Sequence, residues 1–222
     1  MKNYCNCTFM TDKRYIFVDV CWTLFYSNTT FDFLDFAVRD RRYQRLRRIG
    51  RTWIGRKANV LLYKLFGYDR LRTRGLHYLA GKTRTELQAL AEQFYSLYLV
   101  PRRIEQVWQM LPAEHLVVVS GTLDIIAKTV AEHIGAEAYY ATEMLYDGEV
   151  FTGKYRDFLL GKADVLPHYN DFDIITDNIT DIDLVRHAHH ATIVTYNNKS
   201  RWSAILPTDI NATFIDTEQT KY

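Results

Sequence analysis

A gap between two strand-like runs limits the fold more than any other feature. The run YIFV (15–18) favours β structure and stops on a carboxylate, Asp19. The next comparable run, HLVVVS (115–120), comes only after a block of roughly 85 residues with almost no strand signal. Within the block, Leu46, Ile49 and Trp53, then Leu61, Leu62 and Leu65, recur at helical offsets. TRTELQALAEQFYSLYL (83–99) predicts a helix, with Thr83 as N-cap and Glu86 closing a capping box. So long a block is no single crossover; it predicts an inserted helical subdomain.

Beyond Arg103 the pattern alternates. LDIIAKTVAEHIG (123–135) has helical spacing and a terminal glycine, and EAYYATEMLYDGEVFTG (137–153) reads as strand, Asp147-Gly148 turn and strand. DFDIITD (171–177) is a further strand, ITDIDLVRHAHH (179–190) a helix, and ATIVTY (191–196) a strand. Strands alternating with helices predict an α/β fold with a doubly wound parallel sheet. Its core is expected over 1–26 and 111–222, with a helical subdomain over 27–110. The length of 222 residues, 48% hydrophobic and 24% charged, suffices for such a core plus an insertion. Neither a membrane-spanning run nor a cleaved leader is expected.

In an open parallel sheet, functional groups gather beyond the carboxyl ends of the strands. Asp19, Ser120 and Asp177 all fall there, and Asp181 follows Asp177 by one helical turn. Three clustered carboxylates repel one another unless a cation lies between them, which predicts a hard divalent ion such as Mg²⁺. Ser120 and the Gly121 N–H offer hydrogen bonds to an anion, and a lysine on a later loop would neutralise charge in phosphoryl transfer.

These stretches together resemble the haloacid dehalogenase superfamily, in particular its phosphoserine-phosphatase-like branch. IFVDVCWTLF matches the family's strand followed by D-x-D-x-T-L, at Asp19, Thr23 and Leu24. VVVSGT matches its second motif at Ser120, LLGKADVL its third at Lys162, and DIITDNITD its fourth at Asp177 and Asp181. Lys154 and Lys128 are rivals for the lysine position. The resemblance implies that Asp19 is a nucleophile forming an aspartyl phosphate. It implies Mg²⁺ held by Asp19, Asp177, the backbone carbonyl of Cys21 and Asp181. Ser120, Gly121 and Lys162 would grip phosphate oxygens, and the insertion would be a cap that selects a phosphorylated small-molecule substrate.

One departure bears on the chemistry. The family's phosphatases carry a second aspartate two residues after the nucleophile, as general acid and base; here that residue is Cys21. A thiol with an ordinary pKa of about 8.5 stays protonated at neutral pH and suits neither role well. Three readings follow: a slow or leaving-group-selective phosphatase, a phosphotransferase with a persistent phosphoenzyme, or a weakened protein that only binds phosphate. Trp22, where a small residue is common, would pack under the cap or stack on a substrate.

The net charge of +2 hides an asymmetry. RDRRYQRLRRIGRTWIGRK (39–57) sums to +8, leaving −6 for the remainder. Arg45, Arg47 and Arg48 are the candidate anion contacts, for substrate or for an anionic membrane surface. A solvated helix face is the plain alternative, and no nucleic-acid-binding motif accompanies the arginines. The three cysteines, Cys5, Cys7 and Cys21, make no disulfide framework, and cytoplasmic placement is the expectation, with or without attachment at a membrane surface. His187, His189 and His190 have no partners at metal-ligand spacing and are expected on a structural helix face. Substrate identity and oligomeric state are not readable from the chain.

Overall fold

The computed structural model describes residues 13–53, 55, 57, 69–158 and 161–217. Cys5, Cys7, Leu61, Leu62 and Leu65 lie outside the described residues. The first strand, β1 (Tyr15–Val18), is followed by α1 (Thr29–Ala37), α2 (Arg41–Arg51), α3 (Arg70–His77) and α4 (Arg84–Phe94). A π-helical turn at Tyr95–Leu99 and the short α5 (Glu105–Trp108) complete the stretch. Then come β2 (Leu116–Leu123), α6 (Asp124–Ile134), β3 (Ala138–Asp147), β4 (Val150–Arg156), a 3₁₀ turn (Lys162–His168) and β5 (Phe172–Thr176). The chain closes with α7 (Ile182–His187), β6 (Ala191–Thr195), α8 (Lys199–Ile205) and β7 (Ala212–Asp216).

The seven strands form one sheet in the order β4-β3-β2-β1-β5-β6-β7. All pairings are parallel except that of β3 with β4, the hairpin turned at Gly148 with φ of +56°. Among the described residues between β1 and β2 no strand joins this sheet, and helices fill the stretch. β1 lies at the centre, with Val18 level with Val118 on one side and Ile175 on the other. From β1 the chain builds outward through β2, β3 and β4 on one side, then starts β5 on the other, and this reversal of order opens a crevice above the carboxyl end of β1.

Alternation along the strands divides the core. Phe17, Val117, Val119, Ile174 and Ile193 face α7 and α8, and Phe17 stacks on Phe172 with ring centroids 4.2 Å apart. Val18, Val118, Ile175 and Val194 face the other way, where α6 and the inserted helices supply Ile126, Val130, Phe33, Leu34 and Phe94. Full burial of each such side chain contributes about 1.5–3 kcal/mol. The insertion therefore shares the core of the sheet. α4 begins as predicted, with Thr83 and Glu86 in a reciprocal capping box, and α6 ends at Gly135 in the left-handed conformation.

Two expectations are revised and two elements are new. α7 stops at His187, because Ala188 is extended and the His189 N–H donates to the Phe172 carbonyl at 2.9 Å, so His189 and His190 lie past the helix. β2 continues beyond Ser120 to Leu123, with a register shift against β3 between Val119 and Leu123. α8 and β7 carry too little signal to be predicted: α8 spans seven residues, and edge strand β7 has no fully buried residue.

Candidate active site

β1 ends where its sequence changes from apolar to polar. The Asp19 N–H still pairs with the Ile175 carbonyl, and the next residues wind into a tight turn, with Leu24 N–H donating to the Val20 carbonyl. The turn presents Asp19 at the sheet's carboxyl end with only 4% exposure. The Val20 N–H donates to Asp19 Oδ1 at 2.7 Å.

Lys162, from the turn before β5, meets it there. Its Nζ donates to Asp19 Oδ2 at 2.8 Å and to Asp181 Oδ2 at 2.9 Å, with all three side chains almost fully buried. Burial alone would favour the neutral amine, but Asp181 and Asp19 outweigh it and hold the lysine pKa above its ordinary value. Burial pushes the Asp181 carboxyl up, opposed by Lys162 and reinforced by the charge of Asp19. Thr176 Oγ1 fixes Asp181 Oδ2 at 2.7 Å, while Asp181 Oδ1 is buried without a hydrogen-bond partner. Thr23 joins the exits of β1 and β5, since its Oγ1 donates to Asp177 Oδ1 at 3.2 Å and accepts from the Asp177 N–H at 3.0 Å.

The fold thus gathers Asp19, Lys162, Asp181, Thr23 and Asp177. The rival lysines stand elsewhere: Lys128 pairs with Glu132 on α6, and Lys154 is exposed on β4. The expected metal cluster is not assembled as such, because no group of three or more His, Cys, Asp or Glu among the described residues is arranged to hold a metal. The ammonium of Lys162 bridges two of the carboxylates. The oxygen donors still suit a hard cation, and the unpartnered Asp181 Oδ1 leaves a buried lone pair for one.

The family model of haloacid dehalogenase-like hydrolases matches residues 16–186, most of the chain and all of these side chains. The chain belongs to that family. No curated protein sequence matches it. Among solved structures, a protein of unknown function from Bordetella pertussis Tohama I is similar at 16% identity and a TM-score of 0.65, over 91% of this chain and 98% of that one. A cytosolic 5′-nucleotidase IIIB bound to cytidine matches at 10% identity and 0.59, over 93% and 82%. A substrate-bound phosphoserine phosphatase matches at 13% identity and 0.53, over 91% and 94%. At such identities the likeness is one of fold.

In this haloacid dehalogenase-like hydrolase the residue two past Asp19 sits in a chain of hydroxyls. Cys21 Sγ is hydrogen bonded to Thr29 Oγ1 at 2.8 Å, and Thr29 Oγ1 to Thr122 Oγ1 at 2.7 Å. The Thr122 N–H reaches Ser120 Oγ at 3.3 Å, so the line runs to the second motif. Burial, followed by the charge of Asp19, pushes the Cys21 thiol up to about 11. Thr29 and Thr122 are fully buried and escape sequence reading, because they are 93 positions apart and neither belongs to a polar pattern.

Trp22 takes the left-handed conformation, φ +56°, which explains why a small residue suits the position. It is 7% exposed, edge-on to Tyr196, whose hydroxyl donates to the Trp22 carbonyl at 2.7 Å. Trp22 thus packs beside Tyr196, which follows β6.

The basic candidates divide. Arg47 is committed to Asp35 through two hydrogen bonds of 2.9 Å, which removes it from the expected anion contacts, while Arg45 and Arg48 are exposed on α2. Arg72 was not singled out by sequence: buried on α3, it donates to the Gly121 carbonyl at 2.7 Å.

Proposed function

We propose that the chain is a phosphomonoester hydrolase with Asp19 as nucleophile. Support comes chiefly from one observation: a buried lysine holds Asp19 Oδ2 at the carboxyl end of the central strand. An Asp19 carboxylate oxygen attacks phosphorus, the ester P–O bond breaks, and the leaving oxygen takes a proton. Water then attacks the aspartyl phosphate, releasing inorganic phosphate and restoring Asp19. Lys162 neutralises charge on the transferring group, and Ser120 Oγ with the Gly121 N–H binds the phosphate oxygens. Asp19, Asp177, Asp181 and the Cys21 carbonyl would hold Mg²⁺, whose charge stabilises the electron density that develops on phosphoryl oxygens.

Residues 27–110 are proposed as a cap over this site, supported by the reach of Arg72 to Gly121. Phosphoserine phosphatases and a nucleotidase share the fold, so a small phosphorylated metabolite is the substrate class.

Cys21 favours slow turnover. With a pKa of about 11, only about one thiol in 10⁴ is ionised at neutral pH, so it cannot act as a base toward water. The thiol can still donate a proton to a leaving alkoxide, so the first half-reaction suffers less than the second. A long-lived phosphoenzyme able to pass its phosphoryl group to another acceptor is the second reading, and the same observation favours it. The test is Mg²⁺-dependent phosphate release from an aryl phosphate, with acid-labile phosphate on the protein measured in parallel. Asp19→Asn should abolish both; phosphate release that persists at the wild-type rate in Asp19→Asn would sink the proposal.

A further inference from the structure

α2 carries its charge and its exposed apolar groups on separate parts of its surface from its packing face. Inward are Tyr43, Arg47 and Gly50. Tyr43 is fully buried, Arg47 is clamped by Asp35, and a Cβ on Gly50 would lie 2.6 Å from Leu71. These contacts fix the rotation of the helix. Arg42, Leu46 and Ile49, at spacings of four and three, then form a second stripe roughly a quarter-turn away, and Trp53 follows just past the helix end, where Thr52 is extended. Ile49 is 64% and Trp53 63% exposed, large values for apolar side chains. Lys57 lies over the Trp53 ring at 5.0 Å.

The stripe borders a cleft of about 720 Å³ closed by α3 and β4. Arg42, Arg74, His77 and Lys154 line it with Leu46 and Ile49, and none of its lining residues is acidic. Among the described residues, no ion pair engages Arg42, Arg45, Arg48, Arg74 or Lys154, whereas Arg47 and Arg51 are paired with Asp35.

We propose that this face docks on the surface of an anionic phospholipid bilayer, with Ile49 and Trp53 entering the headgroup boundary and the unpaired cations meeting lipid phosphates. Charge complementarity selects this occupant. Residues 58–68, ANVLLYKLFGY, bring one lysine and no acid, so they cannot supply the missing counter-charge. A second copy docked face to face would present the same positive charge. No nucleic-acid-binding motif accompanies the arginines, and an indole beside an aliphatic side chain, ringed by arginines, suits a bilayer interface. The proposal is independent of the chemistry at Asp19.

The test is co-sedimentation of the full chain with vesicles of phosphatidylcholine containing about one-third phosphatidylglycerol, against phosphatidylcholine alone, at about 50 and about 500 mM salt. Binding is expected on anionic vesicles at low salt, weakening at high salt, with a blue shift of tryptophan emission that Trp53→Phe removes. Each cation near such a surface is worth about 1 kcal/mol, about fivefold, so Arg45→Gln/Arg48→Gln/Arg74→Gln should weaken binding on the order of 100-fold. Ile49→Ser/Trp53→Ser should weaken it on the order of tenfold. Thermal melting identifies variants that remain folded, and only those are compared; Trp53→Phe is the mildest. The proposal fails if the folded chain ignores anionic vesicles at low salt or binds neutral ones equally. It also fails if neither folded multiple variant weakens binding, or if single-stranded RNA displaces the vesicles.

Discussion

Arg72 of α3 donates through Nη2 to the carbonyl of Gly121 at 2.7 Å, so a helix from between β1 and β2 grips the end of β2 next to Ser120. Its Nη1 reaches Asp157 at 3.2 Å, and the guanidinium lies over Tyr155, 5.1 Å from the ring centre. Thr142 Oγ1 donates to the same Gly121 carbonyl at 3.0 Å, while the neighbouring Thr122 N–H donates to Ser120 Oγ. The peptide between Gly121 and Thr122 is pinned at both edges, which fixes the Ser120 hydroxyl through contacts from two directions.

Arg72→Met should therefore cost more than the loss of a surface arginine. Removing one partner of a fully buried pair costs about 3–5 kcal/mol, and because Asp157 keeps some solvent contact a smaller loss, about 2–3 kcal/mol, is expected. Asp157→Asn retains the Gly121 contact and should cost less. Urea unfolding of both variants measures the difference, and an Arg72→Met loss below about 0.5 kcal/mol would remove Arg72 from any positioning role.

Trp22→Gly sets two effects against each other. Left-handed backbone at a side-chain-bearing residue costs about 1–2 kcal/mol, which glycine relieves. Deleting a buried indole costs about 3–5 kcal/mol. Packing should win, for a net loss of about 2–4 kcal/mol by urea unfolding. A gain in stability would show that backbone strain outweighs the contact with Tyr196.

Asp19, Ser120 and Asp177 could be picked out because each follows an apolar run of a parallel-sheet pattern, and Asp181 because it comes one turn after Asp177, whereas Lys162 was singled out only through the family resemblance. The same reasoning placed the Gly148 hairpin and the Thr83 capping box, both local signals. Partnerships across the chain were not legible. Thr29 with Thr122, and Arg72 with Gly121, are separated by 93 and 49 positions, and only the packing of the insertion on β2 brings them together. The arginines of α2 looked interchangeable in sequence; the burial of Tyr43 and Gly50 sets the helix rotation, and that assigns Arg47 to Asp35 and leaves Arg45 outward.

Asp124 at the start of α6 provides a pH signature. Burial raises its carboxyl to about 6, despite hydrogen bonds from the Met144 and Ile125 N–H groups. The folded chain then binds a proton more tightly than the unfolded one across roughly pH 4–6. Stability owed to this group is greatest at the acidic end and falls as pH rises through the folded pKa, by up to about 3 kcal/mol. Asp124→Asn has no such proton, so the stability of wild type relative to Asp124→Asn should decline from about pH 4 to about pH 7. Paired urea titrations at the two ends read the change, and a relative stability that is flat or rises with pH contradicts the assignment.

Cys21→Asp restores the acid–base residue that the family's phosphatases carry. Thr29 Oγ1, now 2.8 Å from the thiol, is placed to donate to the new carboxylate and hold it. A positioned general acid and base contributes on the order of 10²–10⁴-fold, so aryl phosphate turnover should rise by at least about 10²-fold. The gain should fall mainly on hydrolysis of the phosphoenzyme, because the thiol can donate a proton but, with its pKa near 11, cannot accept one from water. Acid-labile phosphate on the protein should then fall as turnover climbs, and Cys21→Asp/Asp19→Asn should have neither. A folded Cys21→Asp protein no faster than wild type would mean that another group already activates water, or that Asp19 does not carry the phosphoryl group.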